Sequence, residues 1–129
     1  MNSPIREKLS LTLAQAAEIL NAEVLIEPEG WKEIVINGAC GSDLMSDVLT
    51  HIKPNCLLLT GLINPQVIRT SEIADIKAIC FVRAKRPDEE IIRLAQERNI
   101  PLFATELPMF ESCGKLFCSG MCGISEIGE

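Results

Sequence analysis

The apolar positions along the chain alternate between helical and strand spacing. Leu13, Ala16, Ala17 and Leu20 recur at helical intervals behind Thr12, and Gln15 three residues on completes a capping-box pattern, which predicts a short helix over 13–21. Residues 22–26 read as a strand, 27–30 (Glu-Pro-Glu-Gly) as a turn, and 33–37 as a second strand running into a loop, Gly38-Ala-Cys-Gly41. Ser42 or Asp43 is placed to cap a helix that turns Leu44, Met45, Val48 and Leu49 inward and stops by Lys53, ahead of Pro54. The run Cys56–Thr60 has the unbroken apolar character of a strand buried on both faces. Asn64-Pro65 then opens a helix to about Asp75. A buried strand over 77–82 follows, then a helix that begins at Pro87 with Asp88, Glu89 and Glu90 in its first turn, where the helix dipole favours acids. A short strand over 102–104 and a helix from about Leu107 close the chain. Strands alternating with helices predict one α/β domain over 1–129, a three-layer sandwich whose largely parallel central sheet is flanked by helices.

Composition narrows the classes of partner. The chain has 129 residues, enough for one core without covalent staples, and 47% of them are hydrophobic. A net charge of −6 argues against nucleic acid, which needs a basic surface, and no polybasic stretch suggests a membrane surface. The apolar runs are too short to span a bilayer, and residues 1–8 are polar and mixed in charge, unlike a signal segment. The expectation is a cytoplasmic protein whose six cysteines are thiols unless they bind metal or act in redox chemistry.

In open α/β sheets ligands bind beyond the carboxyl ends of the strands. Four loops leave such ends: 38–43, 60–64, 83–86 and 105–106. Their candidate ligand-binding residues are Gly38, Gly41, Ser42, Asp43, Thr60, Gly61, Asn64, Arg83, Lys85 and Thr105. Glycines beside helix N-termini can aim backbone N–H groups at an anion, and Arg83, Lys85 and Arg86 are the one cationic cluster of an acidic chain. The same residues also admit a purely structural role as turn glycines, helix caps and a solvated loop.

Other chemistry is sparse. His51, the single histidine, falls near a helix end, where a basic side chain is favourable without any catalytic duty. No nucleophile-elbow motif supports a Ser-His-Asp set built from Ser42 or Ser46, His51 and Asp47. Asp43 and Asp47, four apart, could share a helix face and hold Mg²⁺ with a phosphate ligand, or could simply face water. Gly114-Lys115 has Met109 where a phosphate-binding Walker loop needs glycine. No metal site and no cofactor are predicted.

Four stretches in order, GACGSDLMSDVL (38–49), LLLTG (57–61), DEEIIRLAQERNIPLFAT (88–105) and FESCGKLF (110–117), resemble the DRTGG-domain family, and the similarity runs from the helix at Thr12 to about Phe117. The family comprises stand-alone bacterial proteins and regulatory modules, with a fold similar to the N-terminal domains of HPr kinase/phosphorylase and of UDP-muramoyl peptide ligases. Thr60-Gly61 matches the family's small turn, whereas Leu62 and Ile63 stand where its Asp and Arg would be. Arg83-Ala84-Lys85 replaces its later Thr-Gly-Gly. The resemblance implies self-association as a homodimer and a regulatory or ligand-sensing role rather than catalysis. It also implies association with redox systems such as iron-only hydrogenase subunits. Kinase activity is not implied, because no stretch of this chain matches the phosphate-binding catalytic domain.

Three functions follow for comparison: a non-catalytic regulatory homodimer sensing a small anionic or nucleotide ligand, a thiol-based redox or metal-binding accessory protein, and an enzyme acting on a phosphorylated metabolite through Asp43, Asp47 and the 83–86 loop. The first fits the absence of a catalytic constellation. The spacing Cys113-x₄-Cys118-x₃-Cys122 lacks the Cys-x-x-Cys pairs of zinc sites. Phe110, Phe117 and Met121 are expected on one core-facing side of the last helix with Cys113 at its border. Cys118 and Cys122 are then tail thiols, which could chelate metal or cross-link subunits, with Cys40 joining them if the fold allows.

Overall fold

A computed structural model describes residues 7–127. Of the polar stretch at 1–8, read above as unlike a signal segment, residues 1–6 lie outside the described residues. In chain order the elements are β1 (Leu11–Thr12), α1 (Leu13–Ile19), β2 (Glu23–Ile26), a 3-10 turn (Trp31–Glu33), β3 (Val35–Ile36), β4 (Gly38–Gly41), α2 (Met45–His51), β5 (Cys56–Thr60), α3 (Pro65–Ile73), β6 (Ala78–Phe81), α4 (Glu89–Glu97), β7 (Leu102–Ala104), α5 (Met109–Cys118) and a final 3-10 turn (Ile124–Glu126).

The main sheet has the order β2-β7-β6-β5-β4, and β1 pairs with β3 in a separate two-stranded sheet. Strands β4 to β7 are mutually parallel, while β2 runs antiparallel to β7 with Glu23 opposite Ala104. β5, buried along its whole length, lies between β4 and β6. One face of the sheet packs on α1, α5 and the Trp31 turn, through Leu13, Leu57, Leu59, Phe103 and Leu116 among others. The other packs on α2, α3 and α4, through Val48, Leu58, Val67, Phe81 and Ile91. The three-layer α/β sandwich expected from the alternating pattern is therefore the fold, and covering both faces explains why β5 and β6 read as unbroken apolar runs.

Caps set several boundaries. Thr12 Oγ1 accepts from the Gln15 amide (3.1 Å), and Gln15 Oε1 accepts from the Thr12 amide (2.9 Å), a complete capping box. Asn64 caps α3 through the Gln66 amide. Asp88, not Pro87, begins α4: its carboxylate accepts from the Ile91 amide and the helix proper starts at Glu89.

Further expectations about the elements fail. Gly38–Gly41 is an edge strand, not a loop. Its outer side is occupied near Ala39 by the returning tail, whose Cys122 carbonyl accepts from the Ala39 amide (2.9 Å). A side chain at position 38 would strike Ile127 Cδ1 and the Cys122 carbonyl below 3 Å, so glycine there lets the tail close on the strand. The span 33–37 holds only the two-residue β3, preceded by the 3-10 turn that buries Trp31 against Phe103 with ring centroids 5.5 Å apart. Of the four residues expected inside from α2, Met45 and Val48 are buried, whereas Leu44 and Leu49 are 57% and 44% exposed, Leu44 lying before the first turn as N-cap.

Candidate ligand site at the carboxyl edge of the sheet

The parallel strands bring the ends of β4, β5, β6 and β7 to one edge. Asp43 lies outside α2, and its side chain caps nothing in that helix; Leu44 is the N-cap and makes no side-chain cap bond. Instead Asp43 Oδ1 accepts from the Gly61 amide at 2.7 Å and from the Thr60 hydroxyl at 3.1 Å, joining the end of β5 to the loop after β4. Ser42 is absorbed locally, its hydroxyl accepting from the Leu44 amide (3.1 Å). The pairing of Asp43 with Asp47 on one helix face does not occur.

The Arg83 side chain reaches the same place from the next strand. A Cβ placed on Gly61 would sit 3.5 Å from the Arg83 guanidinium, 3.5 Å from Asp43 Oδ1 and 3.7 Å from Asp43 Oδ2. Gly61 therefore lies within reach of both a cation and a carboxylate. Among the described residues neither Arg83 nor Lys85 makes an ion pair, whereas Arg86 is tied to Glu23.

The backbone that presents Arg83 is unusual. Arg83 (φ 58°) and Ala84 (φ 57°) both adopt the left-handed conformation, as in the central pair of a type I′ turn that ordinarily takes Asn-Gly. The turn closes with the Lys85 amide donating to the Val82 carbonyl. It is held from outside by Arg83 N–H to Leu107 O and Ala84 N–H to Thr105 O, both 2.9 Å. Two non-glycine residues in this region store strain of roughly 1–2 kcal/mol each, a cost that clusters where side chains must be aimed.

Of the ten residues singled out by sequence, Asp43, Thr60, Gly61 and Arg83 meet. Ser42 precedes Asp43, and Asn64 is taken up as the α3 cap. Lys85 is exposed on the 83–86 turn. Thr105 is buried and occupied, donating to the Leu20 carbonyl (2.7 Å) and accepting from the Leu107 amide (3.2 Å). Gly38 and Gly41 lie within β4, under the tail and against Cys113 Sγ and Met109 Sδ respectively, and take no part. On the β7 side of the 83–86 turn is a polar pocket of about 440 Å³ whose charged lining is Glu23, Arg86, Glu106 and Lys115. Lys115 and Glu23 have no sequence signal of their own: they meet only because β2 runs antiparallel beside β7.

The thiols do not gather into a centre. Burial raises the Cys56 thiol to about 11 and the Cys80 thiol to about 12. Burial also raises Cys40 and Cys113. Among the described residues no group of three or more His, Cys, Asp or Glu side chains is placed to hold a metal ion, and no helix is long and apolar enough to cross a membrane.

Comparison with known proteins gives two findings. The sequence profile of the DRTGG domain matches residues 15–116. Among solved structures, the chain is similar to the CBS and DRTGG domains of the regulatory region of Clostridium perfringens pyrophosphatase, a structure in complex with the activator diadenosine tetraphosphate. The TM-score is 0.69 and the identity 18%, over 92% of this chain and 50% of that one. This likeness is one of fold, and the chain spans half the length of its structural relative. No curated protein matches the chain.

Proposed function

Because the chain belongs to the DRTGG domain family, we propose that it is a non-catalytic regulatory domain, acting as a homodimer, that binds a nucleotide at the carboxyl edge of its sheet. The observation that carries the ligand is the pair of opposite charges flanking Gly61. A phosphate accepts from the Arg83 guanidinium, with Lys85 near on the same turn, and a ribose hydroxyl donates to Asp43 Oδ2, since Oδ1 already holds the β5 end. A bare anion would meet the Asp43 carboxylate unfavourably; a nucleotide satisfies both charges. The strained 83–84 turn supports the same reading, as a device that aims one guanidinium.

The regulatory region of the clostridial pyrophosphatase is complexed with a dinucleotide activator, which makes adenine nucleotides the first class to try. The family match is to a domain of regulatory type, which supports regulation as the role. The regulated partner is a protein of the hydrogenase-type redox systems that the family resemblance brings with it; this part rests on the resemblance. Thermal denaturation of the protein with AMP, ATP and diadenosine tetraphosphate tests the ligand. The melting temperature should rise with at least one of them and should not rise in Arg83→Ala. A flat response across all three would refute the nucleotide reading.

A further inference from the structure

The homodimer of the preceding proposal carries no surface with it, and the described fold offers one. We infer that two copies associate about a two-fold axis through α5, with Phe110 of each copy seated in the apolar pocket of the other.

Phe110, Gly114 and Phe117 recur at i, i+4 and i+7 and so form one stripe along α5. Phe110 is 86% exposed and Phe117 48%, although both were expected in the core from their spacing. Leu116 and Ser112 take the inward positions instead. A protruding phenylalanine of this exposure gives a monomer nothing and gives an interface an anchor.

The stripe itself borders a pocket of about 310 Å³, whose lining Phe110, Gly114 and Phe117 share with Ala39, Gly41 and Met121. Engineered apolar cavities of roughly 150 Å³ already admit benzene, so a phenyl ring fits. Knob and hole therefore occur on one face of one chain. That is the self-complementarity a two-fold contact requires, since each copy supplies both halves. A groove shaped for a foreign segment would need no knob of its own.

Gly114, which also lines the pocket, supplies a second sign. It stands inside a ten-residue helix, where glycine weakens the helix relative to alanine, yet nothing lies within 4 Å of where its Cβ would be. Nothing among the described residues calls for glycine there. An antiparallel α5 from a second copy, crossing near position 114, does: the absent side chain lets the two backbones approach. The same arrangement brings Glu111 of each copy towards Lys115 of the other on one flank of the stripe. Both are exposed and have no ion pair among the described residues. Such rim charges fix orientation more than affinity.

Sedimentation equilibrium of the full chain over a wide concentration range tests this. The native protein should be a dimer, and Phe110→Glu should weaken association at least 100-fold. Ile73→Glu, at a comparably exposed apolar position on α3, should leave it unchanged. Gly114→Leu should also weaken association while keeping the melting temperature of the Phe110→Glu monomer level or higher. Alkylation of Cys113 and Cys122, followed by mass spectrometry, should slow as the dimer forms and recover in Phe110→Glu. A dimer that survives both Phe110→Glu and Gly114→Leu overturns this surface and leaves the homodimer reading standing. A chain that is monomeric at every concentration overturns both, without touching the nucleotide site.

Discussion

Asp43 Oδ1 takes two hydrogen bonds across seventeen and eighteen residues of sequence, and the placing of its carboxylate beside Gly61 depends on both. Asp43→Ala should cost about 1–2 kcal/mol by urea unfolding, the range for lost hydrogen bonds at a partly solvated carboxylate. Asp43→Asn, which keeps an acceptor, should recover part of it. The thiols give a pH prediction. Cys80 and Cys56 are raised to about 12 and about 11 by burial, against roughly 8.5 for a free thiol. Between those values the unfolded chain releases protons that the folded chain keeps. Stability is therefore fully present below about pH 8.5 and lost as pH rises towards 11–12, and Cys80→Ala should flatten that alkaline slope. Exposed Cys118 should be alkylated first at pH 8, and buried Cys56 and Cys80 last. Single-residue roles of this kind were half legible. Asp43, Thr60, Gly61 and Arg83 could be named from strand ends alone. That the carboxylate would reach back to β5 rather than cap its own helix is a tertiary choice no local spacing records.

Among the elements, the 82–85 turn is the least local in origin. Arg-Ala carries no turn signal, yet both residues sit in the left-handed region because Leu107 and Thr105 accept their amides. Ala84→Gly should relieve that strain and stabilise the fold by about 0.5–1 kcal/mol, net of the added freedom of the unfolded chain, as a rise in the urea midpoint. Thr12→Ala should cost about 1 kcal/mol through loss of the capping box, measured the same way. The helices α1, α3 and α4 and the strands β5 and β6 were legible because cap residues and unbroken apolar runs are local facts. β4 was not: Gly-Ala-Cys-Gly has the composition of a turn, and it becomes a strand only because β5 pairs with one side and the tail partly covers the other. The α5 stripe misled in the opposite sense, since aromatic spacing says which residues share a face but not whether that face meets the core or another molecule.

At the scale of the whole molecule, four parallel strands deliver their ends to one edge, between two helical layers. The α5 stripe and the charged pair at Gly61 are separate features, the first proposed for a second copy and the second for a ligand. A ligand that binds only the folded chain stabilises it by about 2.7 kcal/mol at a hundred times its dissociation constant, an effect readily seen in a domain of this size. The most direct test is isothermal titration of diadenosine tetraphosphate and ATP into the native protein and into Gly61→Val. The Cβ of the new side chain would meet Arg83 and Asp43 at ordinary contact distance, and its methyl groups would compete with a ligand for the two charged groups. The prediction is saturable binding by the native protein, weakened at least tenfold in Gly61→Val with its melting temperature nearly unchanged. Equal affinity in the two proteins, or no binding to either, would contradict it.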